Sequence, residues 1–162
     1  MGEAMFGSLT INEINSAREH LDKYYSIRPD VITLGMLASL ARRIEPELLR
    51  ALRLALGDRF SADDRPTVAT EAALWFSSLI ESRGPDNITL LPEFSQLLRE
   101  RLRADQELIE AAHNVVKNCH ELISPIIRWE EELVYLSLTE NFLDSESKQV
   151  FEQNIWRAVK AI

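Results

Sequence analysis

Apolar positions recur at helical spacing along nearly the whole chain, and the turn formers fall between the periodic segments. The first segment opens at Thr10-Ile11-Asn12-Glu13, where hydroxyl and carboxylate suit a capping box, and runs to about Tyr25. After Arg28-Pro29, Asp30 caps a second predicted helix, Val31 to Ile44. Leu34, Leu37, Ala38 and Ala41 form its stripe, with Arg42-Arg43 at the negative end of its dipole. Pro46 stands at the first position of a third helix, Glu47 to Leu56, which Gly57 stops. Asp58 to Pro66 is polar, lacks periodicity and reads as a loop. A fourth helix, about Val68 to Ile80, carries Ala72, Trp75, Phe76 and Leu79 and gives way to the turn formers of Ser82 to Asn87.

Ile88 to Leu91 is too short to define a strand. Pro92 starts a fifth helix to about Arg103, and Asp105 caps a sixth that runs to Leu122. The sixth has the cleanest stripe (Leu108, Ala112, Val115, Cys119, Leu122), which makes it the expected central helix. Ser124-Pro125 opens a seventh helix to about Thr139. Asp144 or Ser145 begins a last one with Val150, Phe151, Ile155 and Val159 inward. No strand alternation of useful length, constant repeat or flexible linker interrupts this order. A break near Ser61 to Pro66 would leave two pieces too small to stand alone. The expectation is an all-α fold, a compact single-domain bundle of seven to eight helices over residues 1–162.

Composition narrows the function classes. The 162 residues hold 26 acidic against 18 basic side chains, a net charge of −8, which disfavours nucleic acid as a partner. Cys119 is the one cysteine, so an intramolecular disulfide and a multi-thiolate zinc site are excluded, and a reducing compartment is expected. Glu3 stands where a secretory signal carries bases, and no run approaches the roughly 20 apolar residues that span a bilayer. The expected setting is cytoplasmic, with no membrane partner. Residues 160–162 end on a predicted helix without a cap, which reads as excision from a longer protein.

The constellations that suggest chemistry are sparse. Glu110 and His113 have the Glu-x-x-His spacing of carboxylate-bridged di-iron bundles, but the second such pair is missing and both fall off the apolar stripe, at surface or boundary positions. His113 and His120 share a flank of the sixth helix. Cys119 precedes His120, but successive helical positions diverge by about 100°, so the two do not form a dyad, and Cys119 reads as a buried small hydrophobe. His20 has no nameable partner. Phosphate-cradle, zinc-protease and nucleophile-elbow motifs are absent, and no catalytic residue, metal or cofactor is assigned.

Charge is segregated. Arg42, Arg43, Arg50 and Arg53 gather on the second and third helices, and Glu130-Glu131-Glu132 follows Arg128-Trp129 on the seventh. Solvated faces with intrahelical pairs such as Glu47 to Arg50 are one reading, and steering of a partner protein or neighbouring domain is the other. Trp75, Phe76 and Trp129 are assigned to the core, and Trp156 to a partly exposed position.

The run Glu71-Ala72-Ala73-Leu74-Trp75-Phe76-Ser77, then Ser82-Arg83-Gly84-Pro85, Ile88, Leu90, Pro92-Glu93, Leu97 to Leu102, His120, Ser124-Pro125, Arg128 and Glu130 to Glu132, resembles a helical accessory module of multidomain bacterial proteins. Those proteins carry formylglycine-generating-enzyme (sulfatase-modifying-factor) type, caspase-like or NTPase domains. The resemblance covers Thr70 to Leu138 and implies an effector-associated module in a larger, defence-related assembly, with no enzymatic residue carried over. The chain is thus expected to be a non-catalytic interaction or regulatory module, with Arg83, Arg128, Glu130 and Glu131 as contact residues. The competing readings are a metal site or enzyme centred near Glu110, His113 and His120, and a bundle that senses a small ligand.

Overall fold

A computed structural model describes residues 9–139 and, beyond them, Gln149, Gln153, Trp156, Arg157 and Lys160. Among the described residues the fold is all-α: seven helices with one short hairpin. The inward positions expected at Val150, Phe151, Ile155 and Val159 lie outside the described residues. Helix α1 (Ile11–Ile27) begins at the expected capping box, in which the Thr10 amide donates to Glu13 at 2.7 Å and the Glu13 amide to Thr10 Oγ1 at 3.2 Å. Then follow α2 (Pro29–Ala38), α3 (Pro46–Leu56), a single 3-10 turn at Gly57–Arg59, and α4 (Val68–Trp75). Strands β1 (Ile80–Arg83) and β2 (Ile88–Leu90) lead to α5 (Pro92–Leu102), α6 (Gln106–Cys119) and α7 (Pro125–Thr139).

The central helix is α2, not α6. It packs on α1, α3, α4, α5 and α6, and Val31 to Gly35, Leu37 and Ala38 are all buried. A helix apolar on every face belongs in the middle of a bundle, whereas the one-sided stripe of α6 marks a helix that faces solvent on the other side. At Gly35 an added Cβ would lie 3.5 Å from Leu98 and 3.6 Å from Leu74, ordinary contact distances. Gly35→Ala is therefore expected to raise stability by about 0.5–1 kcal/mol through helix propensity alone. Urea denaturation measures it, and a destabilised variant would mean that the neighbouring leucines have no room to give.

Two predicted helices stop early. The second ends at Ala38 rather than Ile44, because Ser39 Oγ turns back to the Met36 carbonyl at 2.7 Å and Arg99 Nε takes the Ser39 carbonyl at 2.8 Å. Leu40, Ala41 and Ile44 stay buried, but in a turn that brings Ile44 into an antiparallel bridge with Ile88. The fourth ends at Trp75 rather than Ile80. Ser77 Oγ bonds the Leu74 carbonyl at 2.8 Å, and Ile80–Arg83 leaves the helix to pair with Ile88–Leu90. The hairpin corrects the expectation that no strand forms. The buried apolar side chains make one continuous core, with Leu34, Leu37, Leu48, Leu52, Leu98 and Ile109 among its members. No helix of the described residues is long and apolar enough to cross a membrane.

Candidate functional site

Successive helical residues turn by about 100°, so the three glutamates on α7 meet three different neighbours. Glu130 is half-exposed and accepts from Arg42 Nε at 3.1 Å. Glu131 is 3% exposed, with its carboxylate oxygens 2.6 and 2.9 Å from His120 Nδ1. Glu132 Oε2 lies 3.1 Å from His113 Nε2. Of the two readings of this cluster, the solvated face fails for Glu131 alone, because α7 lies against α6 and turns that glutamate towards His120.

His120 closes the C-terminal end of α6 and is 2% exposed. Its Nε2 lies 2.8 Å from Oε2 of Glu45, the residue that precedes Pro46 at the start of α3. Carboxylates only accept, so each ring nitrogen donates and the ring is an imidazolium. Burial pushes its pKa down, but the hydrogen bonds and charges of Glu131 and Glu45 outweigh burial and hold it up at about 9. Arg43 Nε stands 2.9 Å from Glu45 Oε1, off the axis of its N–H, and Arg43 Nη2 is 3.8 Å from Asp86. Charges of alternating sign thus join the segment before α3 to α6 and α7.

A general base needs a bare nitrogen facing its substrate. His120 has none, so its chemistry is that of a buried strut. His113, expected at the surface or boundary, is instead buried because α7 covers it. Its ring stacks on Tyr135 with centroids 3.9 Å apart and planes within 6°. The hydrogen bond from His113 holds the Glu132 carboxyl below its usual range against the opposing effect of burial, with Lys117 assisting. His113 and His120 both border a cavity of ≈ 120 Å³, together with Lys117, Arg128, Trp129 and Glu132. Glu110 is exposed, and among the described residues no group of three or more His, Cys, Asp or Glu is placed to hold a metal ion. A larger groove of ≈ 350 Å³ between α1 and α5 is lined by Arg18, Asp22, Glu100 and Arg101, which pair with one another and leave no charge for a ligand.

The expected contact residues separate. Arg83 donates from Nε to the Trp75 carbonyl at 2.7 Å and from Nη2 to the Ser77 carbonyl at 2.8 Å, fastening the hairpin to the end of α4. Arg128 is exposed and donates to the Glu121 carbonyl at 3.2 Å. Glu130 keeps a half-exposed position, and Glu131 is buried and cannot meet a partner. The basic cluster spreads over distant acids, since Arg42 reaches Glu130 and Arg53 reaches Glu71 at 3.0 Å, while Glu47 and Arg50 form no pair.

Phe76, assigned to the core, is 75% exposed, because α4 ends one residue before it. Leu122 is 96% exposed beyond the end of α6, and Cys119 is exposed as well. Burial of its sulfur and the nearby Glu45 and Glu47 push the Cys119 thiol up, away from thiolate character. His20 finds Ser78 at 2.9 Å. Trp156 is exposed, as expected. Glu45 was beyond the reach of the sequence: it lies 75 residues from His120, and only its place before a helix-starting proline marked it at all. Compared with protein-family models, curated proteins and solved structures, the chain matches none.

Proposed function

We propose that the chain is a non-catalytic protein–protein interaction module whose contact face is the end of α4 with the β1–β2 hairpin. The observation that carries the reading is Phe76, a large aromatic side chain 75% exposed, with the Arg83 guanidinium 6.0 Å from its ring centroid. Aromatic and arginine side chains dominate the energetics of protein interfaces. Here the arginine is already fixed by two carbonyls, so little ordering is lost when a partner docks. The commitment of His120 to carboxylates supports the non-catalytic side of the reading. The resemblance over Thr70 to Leu138 agrees with it and suggests a neighbouring domain or partner protein in a larger bacterial, defence-related assembly.

The test is capture of partners from a bacterial lysate, at low and high salt, by the wild-type chain and by Phe76→Ser. The expected result is a stoichiometric protein held by the wild type and lost by the variant, whose melting temperature is unchanged because the site is exposed. Retention of the same protein by both chains, or no partner at either salt, contradicts the proposal. Arg83→Ala is the less selective variant, because two carbonyls lose their donor and stability falls by about 1–2 kcal/mol.

A further inference from the structure

Helix α4 carries apolar side chains on its outer side as well as on the side that meets the core. Thr70 and Leu74 are buried, whereas Val68, Ala69, Ala72 and Phe76 are exposed. At about 100° per residue these four fall within one arc of roughly 100°, and none of them is charged. Val68 is 67% exposed and Phe76 75%. Glu71, at one edge of the arc, is held by Arg53 at 3.0 Å. A helix that is apolar outside as well as inside belongs in the interior of an assembly, yet nothing among the described residues covers this arc.

We infer that a second copy of the chain covers it, as an antiparallel pair of α4 helices about a two-fold axis at Ala72. The inference rests on the reading of the Phe76 face and names what occupies that face in the free protein; a partner protein gains it by displacing the copy. The face fits itself in size. Ala69 and Ala72 let two backbones approach to the roughly 8–10 Å of packed helices, and Val68 and Phe76 stand four residues to either side of Ala72. Each Phe76 ring then lies over Val68 and Ala69 of the other copy, the reciprocal contact of an isologous interface. The face also fits itself in charge. Arg83 borders the C-terminal end of α4 through its bonds to the Trp75 and Ser77 carbonyls, and Asp63, exposed and without an ion pair among the described residues, lies in the turn before the N-terminal end. Arg65, in the same stretch, is drawn back to Asp58 at 3.9 Å and to the Phe60 carbonyl at 3.4 Å. Antiparallel pairing therefore sets Arg83 of each copy toward Asp63 of the other. With a net charge of −8 the copies repel one another over most of their surface, and an uncharged arc is where they approach with least repulsion. Two helical turns bury less than the roughly 1,200 Å² of a stable interface, so the dimer is weak, with a dissociation constant of about 10–100 µM.

Sedimentation equilibrium of the full chain from about 5 to 500 µM is expected to show a monomer–dimer equilibrium. Ala72→Lys sets a charge on the axis without touching the core, and is expected to weaken the dimer at least tenfold, on the order of a buried unpaired charge, with the melting temperature unchanged. Asp63→Asn is expected to weaken it about threefold, as befits a charge at the rim. Cross-linking reads the register: in a Cys119→Ser background, Ala72→Cys is expected to give a disulfide-linked dimer on mild oxidation, because residues on the axis of two packed helices come within the roughly 7 Å that a disulfide spans. Lys23→Cys, exposed on α1, is expected to give none. A chain that stays monomeric throughout this range, a dimer unaffected by Ala72→Lys, or no cross-link through the Ala72→Cys variant overturns the inference. The lysate capture separates its failure from that of the underlying reading. A monomeric chain that still loses a captured protein on Phe76→Ser keeps the contact face and gives it another occupant, whereas a monomeric chain that captures nothing loses the face as well.

Discussion

His120→Ala is expected to lower the free energy of unfolding by about 3–5 kcal/mol. The imidazolium is the shared partner of Glu45 and Glu131, and Glu131 is 3% exposed. Removing it leaves a carboxylate buried without a counter-charge and opens a cavity where α3, α6 and α7 meet. A change of this size is a large share of the 5–15 kcal/mol that holds a domain of ordinary stability. Urea denaturation at pH 7 gives the result as a lower midpoint with an unchanged slope. A loss below about 1 kcal/mol, the range of exposed ion pairs, would mean that water reaches both carboxylates and that the cluster carries little of the fold.

Raising the pH from 6.5 to 9 is expected to remove about 3 kcal/mol of stability, converting the His120 shift at 1.36 kcal/mol per pH unit. The sign follows from linkage. The folded protein holds the His120 proton up to about 9, against the ordinary 6.5 of the unfolded chain. The stabilisation is complete below pH 6.5, declines as the unfolded histidine stops binding its proton, and is gone above the folded value. Urea titrations at pH 6, 7.5 and 9.5 trace the curve, and His120→Ala should lack this component. Equal midpoints for the wild type across that range would mean that His120 gains nothing from its two carboxylates and titrates as it does in the unfolded chain.

The fold was largely legible because its signals are local. Thr10 with Glu13, Asp105 with the Leu108 amide, and prolines at the first positions of α2, α3, α5 and α7 each set a helix start within a few residues. Helix ends were less legible, since periodicity reports burial rather than backbone. Leu40, Ala41 and Ile44 continue the apolar pattern of α2 and are buried, yet Ser39 and the Arg99 side chain end the helix before them. Leu122 continues the stripe of α6 and is exposed because the helix stops at Cys119.

The buried cluster was nearly invisible. Glu45, His120 and Glu131 are brought together by tertiary packing across 75 and 11 residues, and a run of three glutamates looks the same in sequence whether it faces water or a histidine. Phe76 was hidden by the same limit. Inside a helix to Ile80 it would be a core residue, and one residue past the end of α4 it faces solvent.

The central claim is that His120 is bonded through both ring nitrogens to Glu45 and Glu131 and carries a charge at neutral pH. Nitrogen NMR of the His120 ring tests it most directly. At pH 7 both ring nitrogens should be protonated and slow to exchange, with a titration midpoint near 9. A bare ring nitrogen at pH 7, titrating near the ordinary 6.5, would contradict the claim and give the core a lone pair for proton transfer.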